Sequence, residues 1–265
     1  MVSGKRSERN IRRIALLIEY DGSKFCGMQY QQNSSSVQGE LERALKVLYG
    51  YGIRISSSGR TDTGVHALGQ VVHYDDLSEF SLRRILTALN GITSRAISVK
   101  NAYLVSGDFH SRFHAISREY LYKIYNNPVP SPFMCNRAMW MPQSCELDFI
   151  REICHNLIGE HDFKSFCKTL SADKPTVRTI SEITVTKHDD LIHLNIKGRS
   201  FLHNMIRIIV GTIDYFNKNS IKPSKIIDIL DAKDRKAAGP TAPASGLYLV
   251  KTVYNPSLDS YPSVF

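Results

Sequence analysis

An eleven-residue segment in the first half of the chain, Ser57–Ala67, holds the residues best suited to chemistry. Its sequence, SSGRTDTGVHA, places a single carboxylate, Asp62, two residues after a cation, Arg60, in a connection between predicted strands. Such connections often carry functional residues. A lone carboxylate can act as a nucleophile or stabilise developing positive charge. A structural turn is the alternative, since Asp and Gly are common in loops.

A metal centre or a pair of hydrolytic carboxylates fits this segment poorly. A metal site needs several ligands at suitable spacing, and only His66, four residues after Asp62, is near. Glycoside hydrolysis needs a second carboxylate, which spacing alone cannot reveal. A zinc interpretation of His110 and His114 is weak, because no cysteine or carboxylate pair completes the site. We therefore expect no metal.

Three other places in the chain carry groups that need an explanation. Arg207 lies between two isoleucines in an otherwise apolar predicted helix, where a charge is expensive to bury. It is either functional or a side chain that extends to the surface. Tyr120 lies on a predicted strand and could simply be core. Residues 109–114 mix aromatic and cationic groups, as RNA-binding surfaces often do.

Hydrophobic periodicity predicts the element order β-α-β-β-α-β in the first half of the chain. A Ser35–Gln38 capping box and Gly50 are expected to delimit the first helix, and Ser81 to begin the second. The predicted strands are Arg12–Tyr20, Ile53–Ser57, Gln70–Tyr74 and Ile97–Leu104. This order is typical of the ferredoxin-like plan.

The second half repeats that order without detectable sequence identity to the first. Strands are predicted at Tyr120–Tyr125, Thr179–Lys187, Leu191–Lys197 and Leu247–Tyr254, and helices at Leu147–Ile158, Phe201–Asn217 and Pro223–Leu230. The fold class is therefore α+β, with two ferredoxin-like (βαββαβ) domains at residues 1–110 and 111–265. The proline-rich segment Asn126–Ser144 is interpreted as a loop excursion within the second domain.

Composition predicts a soluble cytoplasmic protein, and its positive charge is explained either by a polyanionic partner or by the basic character that many proteins have without binding nucleic acid. The chain has 265 residues, 42% of them hydrophobic, and a formal net charge of +9. The excess of Lys and Arg is spread over both halves, as expected if a polyanion lies across them. The longest apolar run, Ile14–Ile18, is too short for a membrane span or a signal peptide. Five cysteines without a CxxC pair predict reduced thiols.

The segment Ser57–Ala67 resembles the active-site motif of the TruA family of tRNA pseudouridine synthases, in which Gly-Arg-Thr-Asp-x-Gly-Val-His surrounds the essential aspartate. Further matching blocks follow in order along some 240 positions. They are Ile18–Gly22, Phe25–Gln29, Ser36–Gln38, Gly69–His73, Asp108–Phe113, Arg118–Asn126, Phe201–Arg207 and Ala244–Leu249. The resemblance implies two ferredoxin-like domains that share a mostly antiparallel sheet, with the active-site cleft between them.

Residue by residue, the resemblance implies Asp62 as the catalytic group and Arg207 as its partner. Tyr120 matches the tyrosine that stacks on the target base and is placed to take the C5 proton. Arg60 is expected to bind a phosphate or a flanking base. Phe109, His110 and Arg112 are expected to contact the RNA, and either Leu247 or Leu249 to pack under the base.

The resemblance also implies a tRNA pseudouridine(38–40) synthase that acts on the anticodon stem-loop as a homodimer. The isomerisation requires no cofactor, because nothing is oxidised and no group leaves permanently. Two alternatives stay open, namely the same chemistry on another RNA and a non-catalytic RNA-binding module. Two departures from the family pattern, Met28 and residues 90–97, are expected to alter loop contacts without removing activity.

Overall fold

The computed structural model describes residues 11–168 and 175–265, which form one ten-stranded sheet and five α-helices. The strands are β1 Arg12–Tyr20, β2 Ser56–Ser57, β3 His66–Asp76, β4 Ile97–Val105, β5 Ala115–Asn126, β6 Met139–Met141, β7 Gly159–Asp162, β8 Val177–His188, β9 Leu191–Gly198 and β10 Leu247–Tyr254. The helices are α1 Val37–Tyr49, α2 Leu82–Ile92, α3 Leu147–His155, α4 Met205–Lys218 and α5 Ile226–Ala232.

The order of strands in the sheet confirms the predicted ferredoxin-like architecture. The path runs β4-β1-β3-β10-β5-β9-β8-β7, with β2 paired to β3 and β6 paired to β5. Each half therefore has the same internal order, β4-β1-β3-β2 in the first and β10-β5-β9-β8 in the second. The sheet is mostly antiparallel, and its two parallel pairings are β3 with β10 and β5 with β6.

The last strand joins the two halves directly beside the predicted active-site loop. In β10, Tyr248 and Leu249 pair with His66 and Ala67, the first two residues of β3. On its other side β10 runs antiparallel to β5 from Leu247 to Tyr254. Because the motif ends where β3 begins, this junction brings Asp62 to the border between the two halves.

Helix boundaries follow local chemistry and correct two of the predictions. Helix α1 is capped by the Ser36 hydroxyl, which accepts a hydrogen bond from the Gly39 amide at 3.1 Å, so the predicted Ser35 cap was wrong by one residue. Helix α4 begins at Met205 and not at Phe201. Its preceding residue, Asn204, has a left-handed backbone with φ of 61°, which cannot continue a right-handed helix.

The strand predictions hold in order but differ in extent. Only Ser56 and Ser57 of the predicted strand Ile53–Ser57 pair with β3, and the Ile55 amide donates instead to the Glu42 side chain. Two short strands, β6 and β7, were not predicted. Their three and four residues are too few to show a period. None of the described helices is both long and apolar enough to cross a membrane.

Two apolar clusters hold the sheet. The larger one lies between the sheet and the helices and spans both halves. The smaller one covers the opposite face of the first half and includes Ala15, Val71, Phe109 and Tyr254. Met28, one of the departures from the family pattern, is 1% exposed within the larger cluster. At this position it fills core space and does not form part of a surface.

Candidate active site

A cleft of about 1050 Å³ lies where the two halves meet. The motif loop, the start of β5, the connection from β9 to α4 and the beginning of β10 line it. Among the described residues, its lining contains one carboxylate, that of Asp62. The basic groups in the lining are those of Arg60, Arg112, Arg118, Lys168, Arg199, His203 and Arg207. This charge distribution suits a polyanion that presents one reactive centre to an aspartate.

Close backbone packing fixes the loop that carries Asp62. The Met28 amide donates to the Thr61 carbonyl at 3.1 Å, and the Tyr20 hydroxyl lies 2.7 Å from the Thr61 hydroxyl. Gly27, with φ of +89°, approaches so closely that a Cβ there would lie 2.7 Å from the Thr61 carbonyl. The Val65 amide donates to the Asp62 carbonyl, which closes a turn at Asp62 itself.

Asp62 faces the guanidinium of Arg207. Arg207 Nη1 lies 3.1 Å from Asp62 Oδ2, and Nε donates to the Ala242 carbonyl at 2.9 Å. Nη1 also donates to the Asn204 side chain, at 3.1 Å. His203 Nε2 lies 3.5 Å from the other carboxylate oxygen. The carboxylate is 31% exposed and Arg207 17% exposed, so the aspartate is held in place but open to the cleft.

Tyr120 lines the same cleft and is 9% exposed. Its ring packs edge-on against Phe201, with centroids 5.2 Å apart and an interplanar angle of 84°. Burial raises the pKa of Tyr120 to about 12, Arg118 lowers it, and the charge of Asp62 adds to the rise. The phenol is therefore protonated at neutral pH. The Tyr120 ring contacts Phe201 on one side and lines the cavity.

Arg118 begins one of the matching sequence blocks, Arg118–Asn126, but it was not predicted to be a site residue. Arg118 is 9% exposed. Its hydrogen bonds among the described residues go to three backbone carbonyls. Nε and Nη2 donate to Ser58, Nη2 also donates to Arg112, and Nη1 donates to Arg199. These carbonyls belong to three separate segments of the cleft wall. Burial lowers the pKa of Arg118.

The other residues expected at the site differ in whether they line the cleft, a smaller adjoining cavity, or neither. Arg60 and Arg112 line both the cleft and a smaller adjoining cavity, whereas His110 lines only the smaller one. Phe109 is 3% exposed in the smaller apolar cluster and lines neither cavity. Its ring lies 5.2 Å from that of Tyr254. The prediction that Phe109 contacts RNA therefore does not agree with its position.

The structure distinguishes between the two leucines left open by the sequence. Leu247 lines the cleft, whereas Leu249 does not line it and is fully buried in the larger apolar cluster. The two side chains lie two residues apart on β10 and point to the same face of the sheet. Their burial differs because only the first residue of the strand reaches the cleft.

His66, the last polar residue of the motif, packs away from the cleft. It is 2% exposed and stacks on Tyr248 with ring centroids 4.6 Å apart. Its Nδ1 accepts from the Gly22 amide, so Nε2 carries the proton and donates to the Asn136 carbonyl at 2.9 Å. Burial lowers the pKa of His66, which makes its 3.3 Å approach to Asp21 a contact of a neutral ring.

The loop excursion within residues 126–144 contacts the first half of the chain at this point. Arg137 lies 2.8 Å from the carboxylate of Asp21 and holds the pKa of that group well below its usual range. The Tyr248 hydroxyl donates to the Arg137 carbonyl at 2.7 Å. No cluster of three or more metal-ligating side chains occurs among residues 11–168 and 175–265.

Comparison with known proteins shows the family of this chain. The model of a family described as tRNA pseudouridine synthase matches residues 16–114 and 153–255. Two curated relatives, each named tRNA pseudouridine synthase A, come from Thermoanaerobacter sp. (strain X514) and Caldicellulosiruptor saccharolyticus, and are 37% and 41% identical to this chain. Each alignment covers 92% of this chain and 100% of the relative.

A solved structure titled "Crystal Structure of a Cbf5-Nop10-Gar1 Complex" is a distant neighbour. It is 11% identical to this chain, the match covers 76% of this chain and 44% of that chain, and the TM-score is 0.38.

The family match and the relatives define an isomerase of the pseudouridine synthase class. The chain belongs to the tRNA pseudouridine synthase A family, which confirms the resemblance read from the motifs.

Proposed function

We propose that this protein converts uridine to pseudouridine at positions 38, 39 and 40 of the anticodon stem-loop of tRNA. Asp62 is the essential group, and no cofactor takes part. One observation carries the proposal, which is that Arg207 lies 3.1 Å from the one carboxylate that the described residues contribute to a cationic cleft. The names of the relatives support tRNA as the substrate, and the family resemblance supports the anticodon stem-loop.

The reaction rearranges one nucleotide without any net gain or loss of atoms. The bond from N1 to C1′ breaks, the uracil turns, and a bond from C5 to C1′ forms. The proton leaves C5, and N1 of the rotated base finishes protonated. Asp62 assists by bonding covalently to the nucleotide or by stabilising positive charge at C1′. Arg207 pairs with the carboxylate at 3.1 Å and holds it oriented toward the cleft.

Tyr120 and Leu247 are the residues proposed to hold the target base, and both line the cleft. In this proposal the base leaves its stack and enters the cleft, where an aromatic face and an apolar side chain contact it. Burial raises the pKa of Tyr120 to about 12, so its phenol enters the reaction protonated. When it takes the C5 proton it must release its own hydroxyl proton, and in this proposal N1 of the rotated base receives that proton. Phe201 sets the angle of the Tyr120 ring.

The cationic lining is proposed to bind the phosphates of the stem-loop. Arg60, Arg112, Lys168 and Arg199 line the cleft around Asp62 and are candidates for phosphate contacts. Binding should weaken steeply as salt rises, since each phosphate contact releases counterions. An affinity independent of salt would count against an RNA substrate.

We further propose that the protein acts as a homodimer in the cytoplasm. The support for the dimer is the family resemblance and the spread of basic residues over both halves of the chain, which would allow one tRNA to touch two subunits. Sedimentation of the protein with and without tRNA measures this directly. A monomer in both conditions would overturn the dimer without affecting the chemistry.

The decisive experiment uses an anticodon stem-loop with tritium at uridine C5. Tritium is released only when C5 becomes the glycosidic carbon. The wild-type protein should release it, whereas Asp62→Asn should release none while still binding the RNA. Release by Asp62→Asn would exclude the proposed role. Release by neither protein, followed by release from another RNA, would leave the chemistry and change the substrate.

A further inference from the structure

A second cavity of about 280 Å³ adjoins the cleft and takes no part in the proposed handling of the target base. Five residues line both spaces, namely Gln29, Gly59, Arg60, Arg112 and Phe113. The smaller cavity extends from these residues toward β2 and His110. Its volume is close to the lower limit of ordinary ligand cavities, which suits a single small planar group.

An exposed aromatic ring stands at the border between the two cavities. Phe113 is 74% exposed, and its ring packs at 4.3 Å from the ring of His110, tilted by 35°. The guanidinium of Arg112 lies 5.9 Å from the Phe113 centroid. One exposed phenylalanine needs no explanation by itself. Here, however, it lines both cavities, as do two arginines, Arg60 and Arg112.

The turn that presents Phe113 is fixed in place before any ligand arrives. His110 Nδ1 accepts hydrogen bonds from the amides of Arg112 and Phe113, at 3.1 and 3.3 Å. The His110 ring packs against the buried ring of His73, with centroids 4.7 Å apart. Arg118 holds the Arg112 carbonyl from below. Because the backbone of the turn is already fixed, the Phe113 ring can be used for stacking without the entropic cost of ordering the turn.

We propose that this second cavity, bordered by Phe113, Arg60 and Arg112, binds the base next to the target uridine on its loop side. The inference rests on the proposed function. Aromatic stacking accepts any base, and the two arginines are placed for the intervening phosphate. The subsite takes the loop-side neighbour because the neighbour on the stem side is paired. Arg60 lies only two residues from Asp62, about 7 Å along an extended chain.

The test combines a protein variant with an RNA variant. Phe113→Ala and wild type are each given a stem-loop with its target uridine at position 39 and either a base or an abasic residue at 38. The base and the ring should each contribute about 5- to 150-fold to the single-turnover rate at subsaturating protein, the range that stacking provides. Removing both should cost little more than removing one. Phe133→Ala, at an exposed ring outside both cavities, should match wild type.

Three results would overturn the subsite. If the losses from the two changes multiply, the base and Phe113 act independently. If the rate of Phe113→Ala is within about twofold of wild type, the ring does not contribute to the reaction. A changed sedimentation coefficient for Phe113→Ala would assign the ring to a protein interface instead. If wild type releases no tritium from either RNA, the proposed function fails. The affinities of the two proteins for the two RNAs then test the subsite, and equal affinities of wild type and Phe113→Ala for the RNA with a base at position 38 would overturn it.

Discussion

Arg207 and Arg118 both line the cleft, but their partners differ. Arg207 is 17% exposed and meets the carboxylate of Asp62, whose own exposure is 31%. Arg118 is 9% exposed and, within the described chain, donates to the backbone carbonyls of Ser58, Arg112 and Arg199. One arginine thus holds a charged side chain open to substrate, and the other joins three backbone segments that form the wall.

The difference separates an arginine that acts on the reactive carboxylate from an arginine that stabilises the wall of the same cleft. An arginine that faces an accessible carboxylate affects a group that can react, and that carboxylate is rehydrated if the arginine is removed. An arginine buried among carbonyls satisfies polar groups that water reaches poorly, so its removal leaves acceptors unpaired. We therefore expect substitutions of Arg207 to act mainly on rate and substitutions of Arg118 to act mainly on stability.

The largest expected effect is that of Arg207→Met on catalysis. This change removes the cation beside Asp62 while keeping an unbranched side chain in α4. The single-turnover rate of tritium release should fall about 10²- to 10³-fold, the usual loss for one oriented electrostatic group. The free energy of unfolding, measured in urea, should fall by only about 1 to 2 kcal/mol, for the hydrogen bonds to Ala242 and Asn204.

Arg199→Met is the matched control for this prediction. Arg199 also lines the cleft, but its part in the hydrogen bonds described is through its backbone carbonyl. Its substitution should weaken RNA binding and leave the rate at saturating protein close to wild type. Equal losses of rate in the two variants would remove the distinction between a partner of Asp62 and a general phosphate contact.

Arg118→Met should give the opposite profile. Three carbonyls lose their donors, and we expect the free energy of unfolding to fall by about 3 kcal/mol. Arg118→Lys should recover part of this loss, because one ammonium cannot serve three segments at once. Urea unfolding of the two variants measures both values. A loss below about 1 kcal/mol for Arg118→Met would mean that water replaces the guanidinium.

The sequence supports prediction of the first arginine far better than of the second. Arg207 is noticeable because it interrupts an apolar helix, and the family motif then pairs it with Asp62. Arg118 stands on a strand among ordinary alternating residues, and its partners come from positions 58, 112 and 199. Local sequence does not show burial in the case of Phe109 either. Its aromatic and cationic neighbours predicted an RNA-binding surface, but its own side chain is buried.

The fold was predictable where a period extends over several residues. Strand β1 and helix α1 are long enough to show alternation or a helical stripe, and the order 4-1-3-2 then follows from two βαββαβ units. The pairing of β10 with β3 depends on the contact between the two halves, and no local pattern encodes it. Helix α4 begins at Met205 because Asn204 has a left-handed backbone, and the apolar pattern from Phe201 onward does not show this.

A third prediction extends the comparison to pH, through the turn that Arg118 helps to hold. The buried ring of His73 accepts a hydrogen bond from the Ser111 amide at 3.2 Å, and burial lowers its pKa to about 4. The unfolded chain therefore binds the proton first, starting near the ordinary value of 6.5. From pH 7 to pH 5 this residue alone should remove about 2 kcal/mol of stability.

His73→Gln isolates this contribution, because its amide oxygen can accept from Ser111 but does not titrate. Carboxylates lose stability over the same pH range, so the measured quantity is the difference in slope between wild type and His73→Gln. The variant should lose about 2 kcal/mol less between pH 7 and pH 5. Parallel slopes would show that His73 is not held neutral by the fold.

The smallest effect is expected for Arg137→Ala, which tests an arginine outside the cleft. Arg137 is 47% exposed and Asp21 22% exposed, so solvent screens their 2.8 Å contact. The free energy of unfolding should fall by less than about 1 kcal/mol, as for other surface ion pairs, and the rate should not change. A loss as large as that of Arg118→Met would show that exposure is a poor guide here. The loop excursion would then stabilise the contact between the two halves as much as the cleft wall does.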